Sequence, residues 1–212
     1  EEIPSWIMQG YGTMANEAAD QLRQCGVNRP THVFVQAGVG SLAGAVVGYF
    51  TNLFPNDPPK FVVMEARAAD CLYQGALAND GKPRIVTGDL QTIMAGLACG
   101  EPNTISWDIL RNHVSAFISC PDWVSAKGMR MLGVPVKGDP TVISGESGAV
   151  GMGCLDAIMC DDTYKELRDA LELNRFSQVL MFSTEGNTDP LKFRRVIWDG
   201  EYPTTETPQK PY

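Results

Sequence analysis

Apolar and polar positions in this chain alternate between a strand rhythm and a helix rhythm. Residues 31–50, THVFVQAGVGSLAGAVVGYF, pass from a short apolar run through glycines into an amphipathic stretch. That pattern predicts a buried strand, a tight loop and a helix opened by Ser41. Val33 and Val35 flank Phe34 as they do in a parallel strand covered on both faces. A proline-rich turn follows at 56–60, and FVVME at 61–65 predicts a second strand. Strand, helix, strand in that order predicts a parallel βαβ unit. The spacing also predicts helices over 14–25, 66–73, 90–99, 106–114, 122–132 and 164–173, with strands over 116–119 and 178–182. The fold class that emerges is α/β, a mostly parallel sheet with helices on both faces.

Three segments of this frame carry candidate chemistry. Gly38 and Gly40 lack the Cβ that would keep a backbone away from an anion, and the first N–H groups of the helix after them have no partner within it. A phosphate seated over residues 38–42 satisfies those groups at the positive end of the helix dipole. GVGSLA also fits the dinucleotide pattern GxGxxA, with Glu65 as the ribose acid, and a turn without any ligand is a third reading. A second segment, 142–158, crowds Gly145, Gly148, Gly151 and Gly153 around Glu146 and Ser147. Each glycine weakens a helix by ~1 kcal/mol, so close packing or a ligand has to compensate. The third is STEGNTD at 183–189, at the carboxyl end of the last strand, where α/β sheets place ligands. Tyr11 and Thr13 are expected at the rim of a pocket formed by the strand ends, with Thr13 capping the helix over 14–25.

Composition narrows the function classes. At 212 residues the chain can form one large or two small domains. A net charge of -8 argues against a nucleic-acid surface, which needs a basic face. No run of about 20 apolar residues reads as a membrane span, and EEIPSW resembles neither a signal nor a transit peptide, so a cytoplasmic protein is expected. The six cysteines form no CxxC pair, and neither of the two histidines is spaced with a cysteine or another histidine, so no metal is expected. GxSxG is absent, which removes the common serine hydrolase elbow.

QAGVGSLAG, MEARAADCLY, TIMAGLACGEP, ISGESGAVG and STEGNTD, in this order, closely resemble the second half of the diaminopropionate ammonia-lyases. These are fold type II enzymes that use pyridoxal phosphate (PLP). The resemblance runs from WIMQGYGTM to about Trp198. It implies the large domain of that fold with its amino-terminal part missing: an incomplete PLP-binding domain over 1–200, followed by a loose tail at 201–212. Carried over by position, Gly38, Val39, Gly40, Ser41 and Leu42 form the phosphate loop of the cofactor. Thr184, with Ser183 beside it, matches the hydroxyl residue that faces the pyridine nitrogen. Glu146 and Ser147 match a segment near the ring, and Tyr11 and Thr13 lie on the substrate side.

A neutral hydroxyl does not hold that nitrogen protonated as a carboxylate does, which favours elimination over transamination. The implied reaction takes 2,3-diaminopropionate, a small amino acid, to pyruvate and two ammonia molecules, in an enzyme that is a homodimer at full length. The resemblance also implies that the Schiff-base lysine and an acidic catalytic residue lie upstream of Glu1. None of Lys60, Lys82, Lys127, Lys137, Lys165, Lys192 or Lys210 matches the lysine's context. The expectation is therefore a chain that carries the phosphate cup and the ring contact but is inactive alone. A nicotinamide-dependent oxidoreductase and a non-catalytic binder of a phosphate compound are the alternatives. Two smaller expectations concern cysteines. Cys71 and Cys99 fall close enough to pair, against the reading as two buried thiols. Glu65 and Asp70 match part of a cation site of some relatives, where Cys71 replaces a ligating acid and disfavours a hard cation.

Overall fold

His32–Gln36 (β1), Lys60–Ala66 (β2), Val114–Cys120 (β3) and Val179–Met181 (β4) form one parallel sheet in the order β3-β2-β1-β4, in a computed structural model that describes residues 2–204. Strand β1 is central, and its His32 pairs with Lys60 on one side and Val179 on the other. Most of the tail expected over 201–212 lies outside the described residues.

Alternation along the strands decides which layer each side chain joins. Val33, Val35, Phe61 and Val63 point to one face, where Glu2–Gln24 (α1), Ser41–Leu53 (α2), Cys71–Ala78 (α3) and Thr104–His113 (α4) contribute Ala15, Val46, Phe50, Leu72 and Leu110. Phe34, Val62 and Met64 point to the other, against Val124 of Asp122–Gly133 (α5) and Val150, Cys154 and Ile158 of Glu146–Cys160 (α6). Both faces are covered, which is why the strands read as continuous apolar runs. Lys165–Leu171 (α7) closes the second layer through Leu171, and Pro190–Ile197 (α8) packs Val196 against Ala126 and Met129 of α5.

The glycine crowding in α6 is explained in part by packing. Where α5 crosses α6, a Cβ on Gly128 would fall 2.0 Å from the Ala149 oxygen, and one on Gly153 would fall 1.9 Å from the Val124 oxygen. Only a hydrogen fits at either position.

The structure departs from the expected elements in four places. Helix α1 runs unbroken through Gly10 and Gly12, so Thr13 sits mid-helix and exposed and caps nothing. Two glycines at ~1 kcal/mol each are outweighed by Ala15, Ala18 and Ala19 of the same helix, buried in the core. Residues 90–99 are irregular apart from a short turn at Ala95–Leu97, because Asp122 holds the Thr92 hydroxyl and the Ile93 N–H in a non-helical path. The helix expected over 66–73 starts later, at Cys71, after β2 extends to Ala66. Helix α8 was not foreseen, although Asp189 before Pro190 is a legible start, and its carboxylate caps the Lys192 N–H at 3.0 Å.

Candidate functional site

The site begins where β1 runs out. Ala37 still donates to the Met64 oxygen, and the chain then turns through Gly38 and Gly40 into α2. Gly40 has φ 96°, and a Cβ there would lie 2.9 Å from the Ser106 hydroxyl oxygen, so conformation and space both require glycine. No side chain caps α2, and its first turn holds no acid. Its leading N–H groups are therefore left for a ligand, under the positive end of the helix dipole. Asn103 holds the loop in place from outside: its N–H donates to the Val39 oxygen at 2.8 Å and its amide donates to the Ser41 hydroxyl at 2.9 Å.

A cavity of about 520 Å³ joins this loop to the loop after β4. It brings together Gly38, Val39, Gly40, Ser41, Leu42, Ser147, Ser183, Thr184 and Tyr11, from segments as far apart in sequence as residues 11 and 184. The Ser147 hydroxyl is buried in the wall without a partner. Ser183 donates to the buried Ser144 hydroxyl at 3.0 Å, and the Ser147 N–H donates to Glu185. Two expected residues lie elsewhere. Thr13 is exposed on α1 and does not line the cavity. Glu146 lines an adjoining hollow of about 600 Å³ with Asp122, Glu185, Asp189 and Lys192, and burial, then Glu185 and Asp189, push its carboxyl above the usual range.

Several lining residues were not singled out from the sequence as ligand contacts. Gln36, 2% exposed, donates through Nε2 to the Phe182 oxygen at 2.8 Å and to the Thr184 hydroxyl at 2.9 Å. The signal was present, since Gln36 is the polar residue that ends an apolar strand. Gly96, Leu97 and Cys99 form the facing wall. They lay in a segment read as helix, so nothing placed them at a strand end.

Glu65 decides between the ligand readings. It is fully buried, and its carboxyl accepts the N–H groups of Leu72 at 2.9 Å and Tyr73 at 2.6 Å at the start of α3. Burial pushes it up to about 8, against the pull of those two donors. A carboxyl so engaged, inside the protein and away from the cavity lining, holds no ribose, so the nicotinamide reading is overturned. Cys71 and Cys99 are both free. The Cys71 sulfur lies 3.7 Å from the Cys99 oxygen, but Cys99 is exposed, which corrects its reading as buried. Burial, and then Glu65, push the Cys71 thiol up to about 12. Among the described residues, no cluster of three His, Cys, Asp or Glu is arranged to hold a metal.

The donor set suits a phosphorylated ring. The uncapped N–H groups at the α2 start are the kind of donors an anion takes, and the far wall carries the hydroxyl residues Ser183 and Thr184. Comparison with known proteins agrees. The family model described as pyridoxal-phosphate dependent enzyme matches residues 4–166. The diaminopropionate ammonia-lyase of Salmonella typhimurium is 51% identical over 201 residues, 94% of this chain and 50% of that protein. The chain thus spans about half the length of the curated relatives it matches. The crystal structure of the holo Escherichia coli diaminopropionate ammonia lyase superposes with a TM-score of 0.86 at 48% identity, over 95% of this chain and 50% of that one. The same enzyme in complex with an aminoacrylate-PLP azomethine reaction intermediate gives a TM-score of 0.85 at 48% identity, with the same coverage.

Proposed function

This chain belongs to the pyridoxal-phosphate dependent enzyme family, and from that premise we propose that it carries the phosphate and ring contacts of a lyase that eliminates ammonia from 2,3-diaminopropionate. The observation that carries the reading is one cavity lined both by the uncapped start of α2 and by Thr184. Half-length identity near 50% with diaminopropionate ammonia-lyases supports the substrate.

In this reading residues 38–42 bind the cofactor phosphate through backbone N–H groups, and Asn103 keeps that loop in its binding shape. Thr184 donates to the pyridine nitrogen, with Ser183 anchoring the loop through Ser144. Ser147 directs its unpartnered hydroxyl to the cofactor, and Tyr11 borders the substrate. When bound, pyridoxal phosphate supplies the electron-withdrawing ring that makes the substrate's Cα proton acidic. Water then completes the conversion of diaminopropionate to pyruvate and two ammonia molecules.

Among the described residues no lysine lines the cavity. The reading therefore assigns the Schiff-base lysine and the acidic catalytic group to parts of the protein outside these residues, with residues 1–200 as one cofactor-holding domain. A homodimer working in amino-acid catabolism in the cytoplasm belongs to the same reading. Among the described residues no helix is long and apolar enough to cross a membrane.

The test is an assay of pyruvate and ammonia with 2,3-diaminopropionate, serine and threonine as separate substrates. The full-length protein carrying this sequence is expected to prefer diaminopropionate, and this 212-residue chain alone is expected to release no pyruvate. Pyruvate from the chain alone overturns the division of labour. Equal turnover of serine and threonine by the full-length protein overturns the substrate assignment.

A further inference from the structure

The hydrogen bonds behind Thr184 have a direction, and Gln36 sets it. Its side-chain nitrogen contacts the Phe182 backbone oxygen at 2.8 Å, and a carbonyl oxygen only accepts, so that atom is the amide NH2. The same nitrogen contacts the Thr184 hydroxyl oxygen at 2.9 Å. An NH2 group has no lone pair to offer, so the hydroxyl accepts from Gln36. Its own proton then points away from Gln36, and Thr184 lines the cavity. Gln36 is buried at 2% exposure, at the end of the central strand, so the polarity is built into the sheet.

We infer that Gln36 is a positioning residue that fixes the Thr184 hydroxyl as a hydrogen-bond donor toward the ring nitrogen of pyridoxal phosphate. The inference rests on the proposed contact between Thr184 and that nitrogen. A hydroxyl free to rotate can donate to a bare pyridine nitrogen or accept from a protonated one. With Gln36 donating to one lone pair, donation to a bare nitrogen puts the hydroxyl proton to use, whereas acceptance from a protonated nitrogen on the other lone pair leaves that proton without a partner. The unprotonated ring nitrogen is thereby favoured, and the strength of the ring as an electron sink is tuned from β1, one residue removed from the cofactor.

The test loads the full-length protein with ring-15N pyridoxal phosphate and reads the nitrogen chemical shift, a signature that loss of packing alone does not move in a chosen direction. Gln36→Glu keeps the shape but lets position 36 accept the Thr184 proton, so the ring nitrogen is expected to move toward the pyridinium range. Gln36→Met removes the donor and frees the hydroxyl to accept as readily as to donate, so the shift is expected to move toward the pyridinium range by less than in Gln36→Glu. Thr184→Val removes the hydroxyl itself, so its shift is expected to move the opposite way, toward a pyridine without a hydrogen bond. Either Gln36 variant decides alone if the other fails to fold. Displacement by Thr184→Val with both Gln36 variants at the wild-type shift overturns the role of Gln36. No displacement by Thr184→Val overturns the ring contact itself, and the inference with it.

Discussion

Two strand-to-helix turns at the carboxyl edge of the sheet, β1 into α2 and β2 into α3, face the same problem and resolve it oppositely. Both leave the first N–H groups of a helix without internal partners. At α3 the protein supplies the acceptor itself, since Glu65 reaches back and takes the N–H groups of Leu72 and Tyr73. At α2 nothing reaches back. Gln36 turns instead toward Phe182 and Thr184, and the N-cap is a glycine with no side chain to offer. The difference teaches that a glycine loop becomes an anion site only where the neighbouring side chains decline to fill it. One turn is closed by its own carboxylate and the other is open for a carboxylate or phosphate from outside.

Breaking the closed turn has the largest expected effect. Glu65→Ala leaves two buried N–H groups unsatisfied and a void behind them, and is expected to destabilise the protein by about 3–5 kcal/mol. A lower midpoint in urea checks it, and a loss under about 1 kcal/mol would mean that water replaces the carboxyl. The closed turn should also make stability depend on pH. The folded chain keeps a proton on Glu65 up to about 8, whereas an unfolded glutamate releases it near 4.5. The stability is therefore complete below the unfolded value and is lost as pH rises through the folded one, by roughly 1 kcal/mol per pH unit between them. Urea midpoints of wild type and Glu65→Gln from pH 5 to 8 test this, with the slope expected in the first and absent in the second. Parallel curves would remove Glu65 as the titrating group.

The open turn gives the smaller effects. Gly40→Ala places an L-residue at φ 96° with its Cβ against Ser106, and is expected to destabilise by about 1–2 kcal/mol. A thermal melt checks it, and an unchanged melting temperature would show that the loop adopts another shape. Ser41→Asp closes the open turn in imitation of its neighbour. It is expected to stabilise the cofactor-free protein by about 0.3–1 kcal/mol through the helix dipole, and to weaken pyridoxal phosphate binding about tenfold. Tighter binding in that variant would locate the phosphate away from α2.

Much of this contrast was visible before the fold. The apolar run, the glycines and the helix at 31–50 identified β1, the loop and α2, because strand and helix periods are local properties. Thr184 was reachable from its place after the last strand. The wall formed by Gly96, Leu97 and Cys99 was not, because helical spacing at 90–99 is satisfied equally by an irregular segment whose apolar side chains Met94 and Leu97 enter the core. Glu146 and Ser147 are adjacent in sequence, yet Ser147 faces the cavity and Glu146 a neighbouring hollow, since successive positions on a helix point about 100° apart.

By itself the sequence determined the α/β class, the order of the strands along the chain, the glycine loop and the motifs that resemble a pyridoxal phosphate enzyme. These depend on periodicity and on residue types within short windows. Only the tertiary structure decided that the Glu65 carboxyl is used up at the start of α3, that Gln36 donates to Thr184, and that the two loops share one cavity. A parallel sheet brings the ends of β1 and β4 together across more than 140 residues, and the direction of a buried hydrogen bond exists only once donor and acceptor have met.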